Sequence, residues 1–224
     1  MNTYFITGTD TDAGKTVAAC AFVQHLVKSR QKVAVMKPVA SGCQRQNGQL
    51  VNDDALNLMH QSNTSFDYDK VNPYTFEAAI APHIAAADND TVIEKDKLVA
   101  SVEWFGDQQI DSLVIEGAGG WQLPLAPGLC MPEVVKAINA QVILVVGLKL
   151  GCLNHALLSL QSIRQEGCEV IGWIAVQTEP EPMPRQDENL ASLRELLNTQ
   201  ELAHIPYVPD WSAKDLSIYF HKHD

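Results

Sequence analysis

The sequence predicts an α/β fold: a single domain built on one doubly wound, mostly parallel sheet with helices on both faces. Three observations predict it. Apolar runs recur along the 224 residues without polar alternation, segments of helical spacing separate them, and the first run breaks into a glycine-containing loop ending Gly14-Lys15-Thr16. Strands that are apolar throughout are buried on both faces, as they are in a parallel sheet covered by crossover helices. Right-handed crossovers then bring binding loops to the carboxyl ends of the strands.

The elements follow in order. The first strand is Tyr4–Thr7, and the helical spacing of Lys15–Ser29 follows the loop. Val33–Met36 is a second short apolar strand, with Asp53–Gln61 and Glu94–Phe105 as helices before the third strand, Ser112–Ile115. Pro132–Ile138 is a helix, Val142–Gly147 a fourth strand, Leu153–Glu166 a helix, and Val170–Val176 a fifth strand. Thr178–Arg185, rich in proline and acid, is a surface loop rather than a boundary, and Gln186–Leu197 is the last helix. No repeat, linker or low-complexity segment divides the chain, so residues 1–224 are expected to form one domain.

Composition narrows the function. Hydrophobic residues at 46% and charged residues at 19% give a globular profile. A net charge of −11 repels nucleic-acid backbones and anionic lipid, so neither is an expected partner. The five cysteines (Cys20, Cys43, Cys130, Cys152 and Cys168) show no C-x-x-C pair, which points to reduced, packed thiols rather than zinc or a redox dithiol. Met1-Asn2-Thr3 runs straight into the first strand, and the apolar stretch Val142–Leu150 is too short to span a bilayer, so a cytoplasmic protein is expected. His25, His60, His83 and His204 have no metal-ligand spacing, and His221-Lys222-His223-Asp224 reads as a frayed terminus.

The motifs lie at strand ends. A strand, then Thr7-Gly8-Thr9-Asp10-Thr11-Asp12-Ala13-Gly14-Lys15-Thr16, then a helix is a polyphosphate cradle: backbone N–H groups and the positive helix end face the anion. Lys15 can meet the outer phosphates and the Thr16 hydroxyl a magnesium ion. The loop departs from the usual pattern, with five rather than four residues between Gly8 and Gly14, so Thr9 stands where the first glycine would be. Lys37 roots the loop Lys37-Pro-Val-Ala-Ser-Gly42 at the end of the second strand. It is either a solvated strand-end lysine or a second cation for phosphoryl transfer. Asn52-Asp53-Asp54 opens a helix. Capping is the default role for these acids, but two of them exceed what capping requires, which leaves one for a metal. A strand ending at Glu116, followed by Gly117-Ala118-Gly119-Gly120, puts a carboxylate where a second magnesium-associated acid belongs. Lys149-Leu-Gly-Cys-Leu-Asn-His-Ala156 is either a helix start that receives a carboxylate or one simply packed in the core.

Together, Gly8–Thr16, Lys37–Gly42, Asn52–Ala55, Val71-Asn-Pro-Tyr-Thr-Phe76, Pro82-His83, Glu116–Trp121 and Lys149–Ala156 resemble the dethiobiotin synthetase family, in the family's order and over nearly the whole chain. The offset glycine of the lysine loop is itself a family habit. The resemblance implies a P-loop NTPase scaffold and an ATP- and magnesium-dependent ligase of biotin biosynthesis. It joins 7,8-diaminononanoate, CO2 and ATP into dethiobiotin, ADP and phosphate through a carbamate and a carbamic–phosphoric anhydride. It also implies roles. Asp12, Ala13, Gly14, Lys15, Thr16 and Val17 bind the nucleotide phosphates, with Thr11 beside the reacting phosphoryl group. Lys15 and Lys37 stabilise the transferring group and the carbamate, Ser41 contacts the diamine, and Thr16, Asp54 and Glu116 serve magnesium. Gly117, Ala118 and Gly119 run along ATP, and Pro206, Tyr207 and Val208 border the adenine. Gly151, Cys152, Leu153 and Asn154 receive the substrate carboxylate of a neighbouring subunit, which implies a homodimer.

Three positions depart from the family pattern. Val176 stands where an asparagine often reads adenine, and Gln177 next to it faces the other way along a strand. Asn189 stands where an aromatic helps hold the substrate carboxylate, and Asp12 replaces a longer glutamate. Two rival readings share the scaffold. A partitioning ATPase usually carries an extra lysine early in its phosphate loop and an amphipathic tail, and this chain shows neither. A cobyrinate-type amide ligase carries a glutamine-hydrolysing domain, for which 224 residues leave no room.

Overall fold

A computed structural model describes residues 1–221; Lys222–Asp224 of the expected frayed tail lie outside the described residues, while His221 N donates to Leu202 O at 3.0 Å. The core is a six-stranded sheet made of β1 (Asn2–Gly8), β2 (Val33–Met36), β3 (Ser112–Gly120), β4 (Gln141–Gly147), β5 (Val170–Val176) and β6 (Glu201–Ile205). Its order is β6-β5-β4-β1-β3-β2, and every neighbouring pair is parallel. The helices are α1 (Lys15–Lys28), α2 (Asp53–Gln61), α3 (Tyr68–Val71), α4 (Pro82–Asp88), α5 (Lys95–Gly106), α6 (Met131–Ala137), α7 (Cys152–Gln165) and α8 (Gln186–Leu197). Among the described residues no helix is long and apolar enough to cross a membrane.

The continuous apolar strands are explained by two cores, one on each face of the sheet. Along β4, Val142, Leu144 and Val146 join one core while Ile143 and Val145 join the other. Phe5 and Ile6 of β1 divide the same way. Helices α1 and α2 cover one face through Ala18, Phe22, Ala55 and Leu58, and α5 to α8 cover the other through Leu98, Val134, Leu160 and Leu193. The doubly wound expectation therefore holds; the six expected helices differ from the sequence reading by at most one residue at an end, and α3 and α4 were not anticipated.

Two expectations need correction. The third strand does not end near Glu116 but continues through the glycines to Gly120, with a register shift opposite Ile6 and Gly8. Small residues permit this: a Cβ at Gly117 would lie 2.9 Å from the Phe5 ring. The sixth strand, Glu201–Ile205, was not anticipated, because a five-residue edge strand carrying Glu201 and His204 lacks a continuous apolar run.

β5 and β6 approach closely at Gly172, where a Cβ would meet Leu202 Cγ at 2.6 Å and the Gln200 carbonyl oxygen at 2.8 Å. Gly172→Val is therefore expected to destabilise the chain by ~1–3 kcal/mol through overpacking. Urea denaturation checks this, and a midpoint equal to that of the unsubstituted chain would contradict the close approach.

Candidate functional site

The loop between β1 and α1 is held at the carboxyl edge of the sheet. Thr9 N donates to Val145 O at 3.0 Å, and Ala13 is fully buried against Gly147, where a Cβ would lie 3.0 Å from Ala13 Cα. Asp12 (φ 59°) and Gly14 (φ 86°) are left-handed, and α1 starts directly after Gly14. A Cβ at Gly14 would strike Val176 Cγ1 at 2.6 Å, so the glycine is required by space as well as by conformation. The first N–H groups of α1 have no intrahelical acceptor. Lys15 Nζ donates to Asp10 O at 2.8 Å, and burial, aided by the nearby Lys37 ammonium, pulls its pKa down.

Lys37 follows β2 and is buried, so the solvated alternative does not hold. Its three ammonium donors meet Glu116 Oε1 at 2.6 Å, Asp54 Oδ2 at 3.0 Å and Gly117 O at 3.2 Å. Burial alone would lower the Lys37 pKa; the Glu116 and Asp54 carboxylates reverse this and leave it raised. Burial pushes the Glu116 carboxyl up against the pull of Lys37. For Asp54 the ammonium wins over burial, and its pKa is lowered. Asp54 is free for this because Asn52, not an acid, caps α2: Asn52 Oδ1 accepts from Ala55 N at 3.3 Å.

Thr16 completes the cluster, with its hydroxyl 2.9 Å from Asp54 Oδ1 and 3.0 Å from Glu116 Oε1. One hydroxyl proton cannot serve both carboxylates, and Glu116 Oε2 is buried with no hydrogen-bond partner. Two carboxylates and a hydroxyl gathered at one point fit a magnesium ion, which takes few protein ligands and completes its shell with phosphate oxygens and water. No group of three or more His, Cys, Asp and Glu suited to a metal occurs among the described residues, which leaves the niche with two carboxylates.

A cleft of about 890 Å³ opens over this cluster. It is lined by Thr11, Asp12, Gly14, Lys15, Thr16 and Val17 of the loop, by Lys37, Ser41, Asp54 and Glu116, and by Ala118 and Gly119. Pro206, Tyr207 and Val208, after β6, wall its far end. Ser41 Oγ is buried and has no hydrogen-bond partner. Two expected residues stand behind the wall rather than in it: Ala13 packs under β4, and Gly117 contributes its carbonyl to Lys37. Gly151, Cys152, Leu153 and Asn154 open α7 but do not line this cleft, and Asn189 lies on α8 with its amide on Arg185 O. Cys43 is buried, with Sγ directed to Ala40 O, and all five cysteines are free.

Sequence reading missed part of the wall. Ala79, Ile80, Ala81, Thr178 and Trp211 line the cleft without belonging to any recognisable pattern, beside Pro82 of the Pro82-His83 pair. It also missed a supporting relay. Asn52 N donates to Tyr68 Oη (2.7 Å), Tyr68 Oη to Asn72 Oδ1 (2.8 Å), and Asn72 Nδ2 to Lys37 O (2.6 Å), linking the α2 cap to the lysine. Burial raises the Tyr68 pKa to about 12, so its hydroxyl stays a donor. Asn72 lies in the run Val71–Phe76, but only the fold shows its partners.

Comparison with known proteins distinguishes among enzymes and switches that share this scaffold. A family model described as an AAA domain matches residues 2–215. The ATP-dependent dethiobiotin synthetase BioD of Idiomarina loihiensis is 80% identical over 99% of this chain and 100% of its own. The chain belongs to the dethiobiotin synthetase family. The synthetase of Pseudoalteromonas translucida is 45% identical over 92% of this chain and 91% of its own, and that of Pseudescherichia vulneris 42% over 92% and 85%. Solved structures report the fold alone. A chain of the MinC:MinD cell division protein complex of Aquifex aeolicus has a TM-score of 0.60 at 16% identity, covering 95% of this chain and 85% of its own. The cell division ATPase MinD of Pyrococcus furiosus has 0.53 at 17%, covering 93% and 84%. The fold of these cell division proteins is thus shared, while sequence identity joins the chain to the dethiobiotin synthetases.

Proposed function

We propose that this chain, as one catalytic domain, performs the ATP-dependent synthesis of dethiobiotin from 7,8-diaminononanoate and CO2. The single observation that carries the reading is the convergence of Lys15, Lys37, Thr16, Asp54 and Glu116 in one cleft, on a chain 80% identical to a dethiobiotin synthetase. In this reading, one substrate amine attacks CO2, forming a C–N bond and a carbamate. A carbamate oxygen attacks the γ-phosphorus as the bond to ADP breaks, giving the carbamic–phosphoric anhydride. The second amine then attacks the same carbon, and phosphate leaves as the ureido ring closes.

Each reactant is anionic or delivers an anion, so the site must offset their mutual repulsion. The loop from Asp12 to Val17 takes the phosphates on its backbone, with Thr11 beside the γ-phosphate. Lys15 and Lys37 hold positive charge where the phosphoryl group passes to the carbamate. Ser41, whose hydroxyl has no partner among the described residues, is free to accept from a diamine nitrogen. Thr16, Asp54 and Glu116 would hold magnesium, which when bound supplies charge neutralisation at the phosphates. Gly117, Ala118 and Gly119 flank the nucleotide, and Pro206, Tyr207 and Val208 its base.

A homodimer belongs to the same reading. Gly151–Asn154 do not line the cleft over the phosphate loop, and the adjacent Leu150 is 93% exposed, an apolar side chain that a second copy would cover. The substrate carboxylate would then be received at α7 of the neighbouring subunit. A cytoplasmic enzyme without nucleic-acid or membrane partners is consistent with the acidic surface and the free thiols.

Phosphate release is expected to require both the diamine and bicarbonate; release indifferent to the diamine would favour a switch ATPase. Lys15→Ala and Lys37→Gln are each expected to lower turnover by ~10²–10³, the usual loss for one preorganised charge contact. Glutamine is chosen at Lys37 because truncating the side chain outright leaves the wholly buried Glu116 carboxylate with only the shared Thr16 hydroxyl. Normal turnover in Lys37→Gln, with unchanged circular dichroism, would remove that lysine from the mechanism.

Base discrimination is expected to be weak. Val176 packs on Gly14, while the Gln177 amide is committed to Glu179 O, Pro180 O and Gln186. Neither is free to read an adenine edge. Competition among ATP, GTP and CTP checks this, and a strong preference for ATP would contradict it.

A further inference from the structure

Asp10 does not line the cleft, yet it holds the phosphate loop from two directions. Its backbone oxygen accepts from Lys15 Nζ at 2.8 Å, and its carboxylate Oδ2 lies 2.5 Å from Lys149 Nζ. Its other oxygen, Oδ1, accepts from Thr9 Oγ1 at 3.3 Å. Lys149 in turn is bound at its own main chain: Lys149 N donates to Gly147 O, and Lys149 O accepts the N–H of Cys152, the first residue of α7. A continuous set of contacts therefore runs from the start of α7 through Lys149 and Asp10 to the ammonium of Lys15.

Lys15 must leave the Asp10 carbonyl to reach a phosphate oxygen. If that carbonyl were free to move with the ammonium, it would compete with the incoming phosphate. We propose that Asp10 and Lys149 are a positioning pair, which fixes the resting acceptor of Lys15 against the β4–α7 junction so that the ammonium is released to the nucleotide from a defined place. This rests on the reading of Lys15 as a phosphate ligand. Neither residue touches the reacting atoms. The paired side chains are 43% and 31% exposed, and a pair so open to water adds little to stability. Its effect is expected in nucleotide use and not in the melting temperature.

A double-mutant cycle on the purified full chain tests this, with ATP, 7,8-diaminononanoate and bicarbonate as substrates. Asp10→Asn and Lys149→Met are each expected to raise KM for ATP about tenfold, the scale of a small misplacement of a charged group. The double variant is expected to be no worse than the worse single, Lys149→Arg to stay near the parent, and all melting temperatures to be unchanged. Three results overturn the proposal. In the first, the double variant's loss equals the product of the two single losses, which makes the residues independent. In the second, the losses track a fall in melting temperature, which makes the pair structural. In the third, Asp10→Asn leaves KM unchanged or lowers it, which makes Lys149 a direct phosphate ligand that Asp10 restrains. Lys15→Ala in the same assay separates the two layers: normal ATP use there defeats the phosphate reading itself, whereas an impaired Lys15→Ala with an additive cycle defeats only the pair.

Discussion

The buried ammonium of Lys37, held between Glu116 and Asp54, is the constraint on which the site depends. A carboxylate taken out of water is costly unless it is paired and hydrogen-bonded, and Glu116 is wholly buried. Lys37 meets part of that cost but not all of it. Two carboxylates face one ammonium, one Thr16 hydroxyl faces two acceptors, and Glu116 Oε2 has no partner. The niche therefore leaves a buried carboxylate oxygen unpaired, where a further positive charge acts more strongly than at a surface. Its position at the mouth of a phosphate-binding loop gives that unpaired oxygen a chemical use.

The scaffold explains why these groups meet. Lys37 leaves β2, Glu116 sits in β3 and the phosphate loop leaves β1, and these three strands are consecutive in the order β1-β3-β2. Parallel pairing brings their carboxyl ends to one edge, so residues 79 positions apart in sequence (Lys37 and Glu116) come within hydrogen-bond distance. The caps and relays are local refinements of that topology. Asn52 frees Asp54 by capping α2 itself, and the Tyr68–Asn72 relay ties that cap to the Lys37 carbonyl.

How far the sequence discloses this depends on the kind of signal. Buried parallel strands and amphipathic helices announce themselves through apolar runs and periodicity, and the loop before Thr16 through its glycine, lysine and threonine. The edge strand Glu201–Ile205 does not, because Glu201 and His204 interrupt its apolar residues and its pattern is short. The continuation of β3 past Glu116 is hidden for the opposite reason: glycine is read as a break, yet here it admits the Phe5 ring. Ala79, Ile80, Ala81 and Trp211 enter the cleft only through tertiary placement, and no spacing rule reaches them. The Asp53–Asp54 pair illustrates the middle case. Excess acid at a helix start is visible in the chain, but which carboxylate turns inward is decided by Thr16 and Lys37.

The central claim is that Glu116, Asp54 and Thr16 gather a divalent cation with the nucleotide while Lys37 keeps the niche formed. Equilibrium binding of a non-hydrolysable ATP analogue, measured with and without magnesium in the parent chain and in Glu116→Gln, tests it most directly. The account predicts that magnesium tightens binding in the parent, and that Glu116→Gln keeps its magnesium-free affinity but loses the tightening. Full magnesium dependence retained in Glu116→Gln would contradict it.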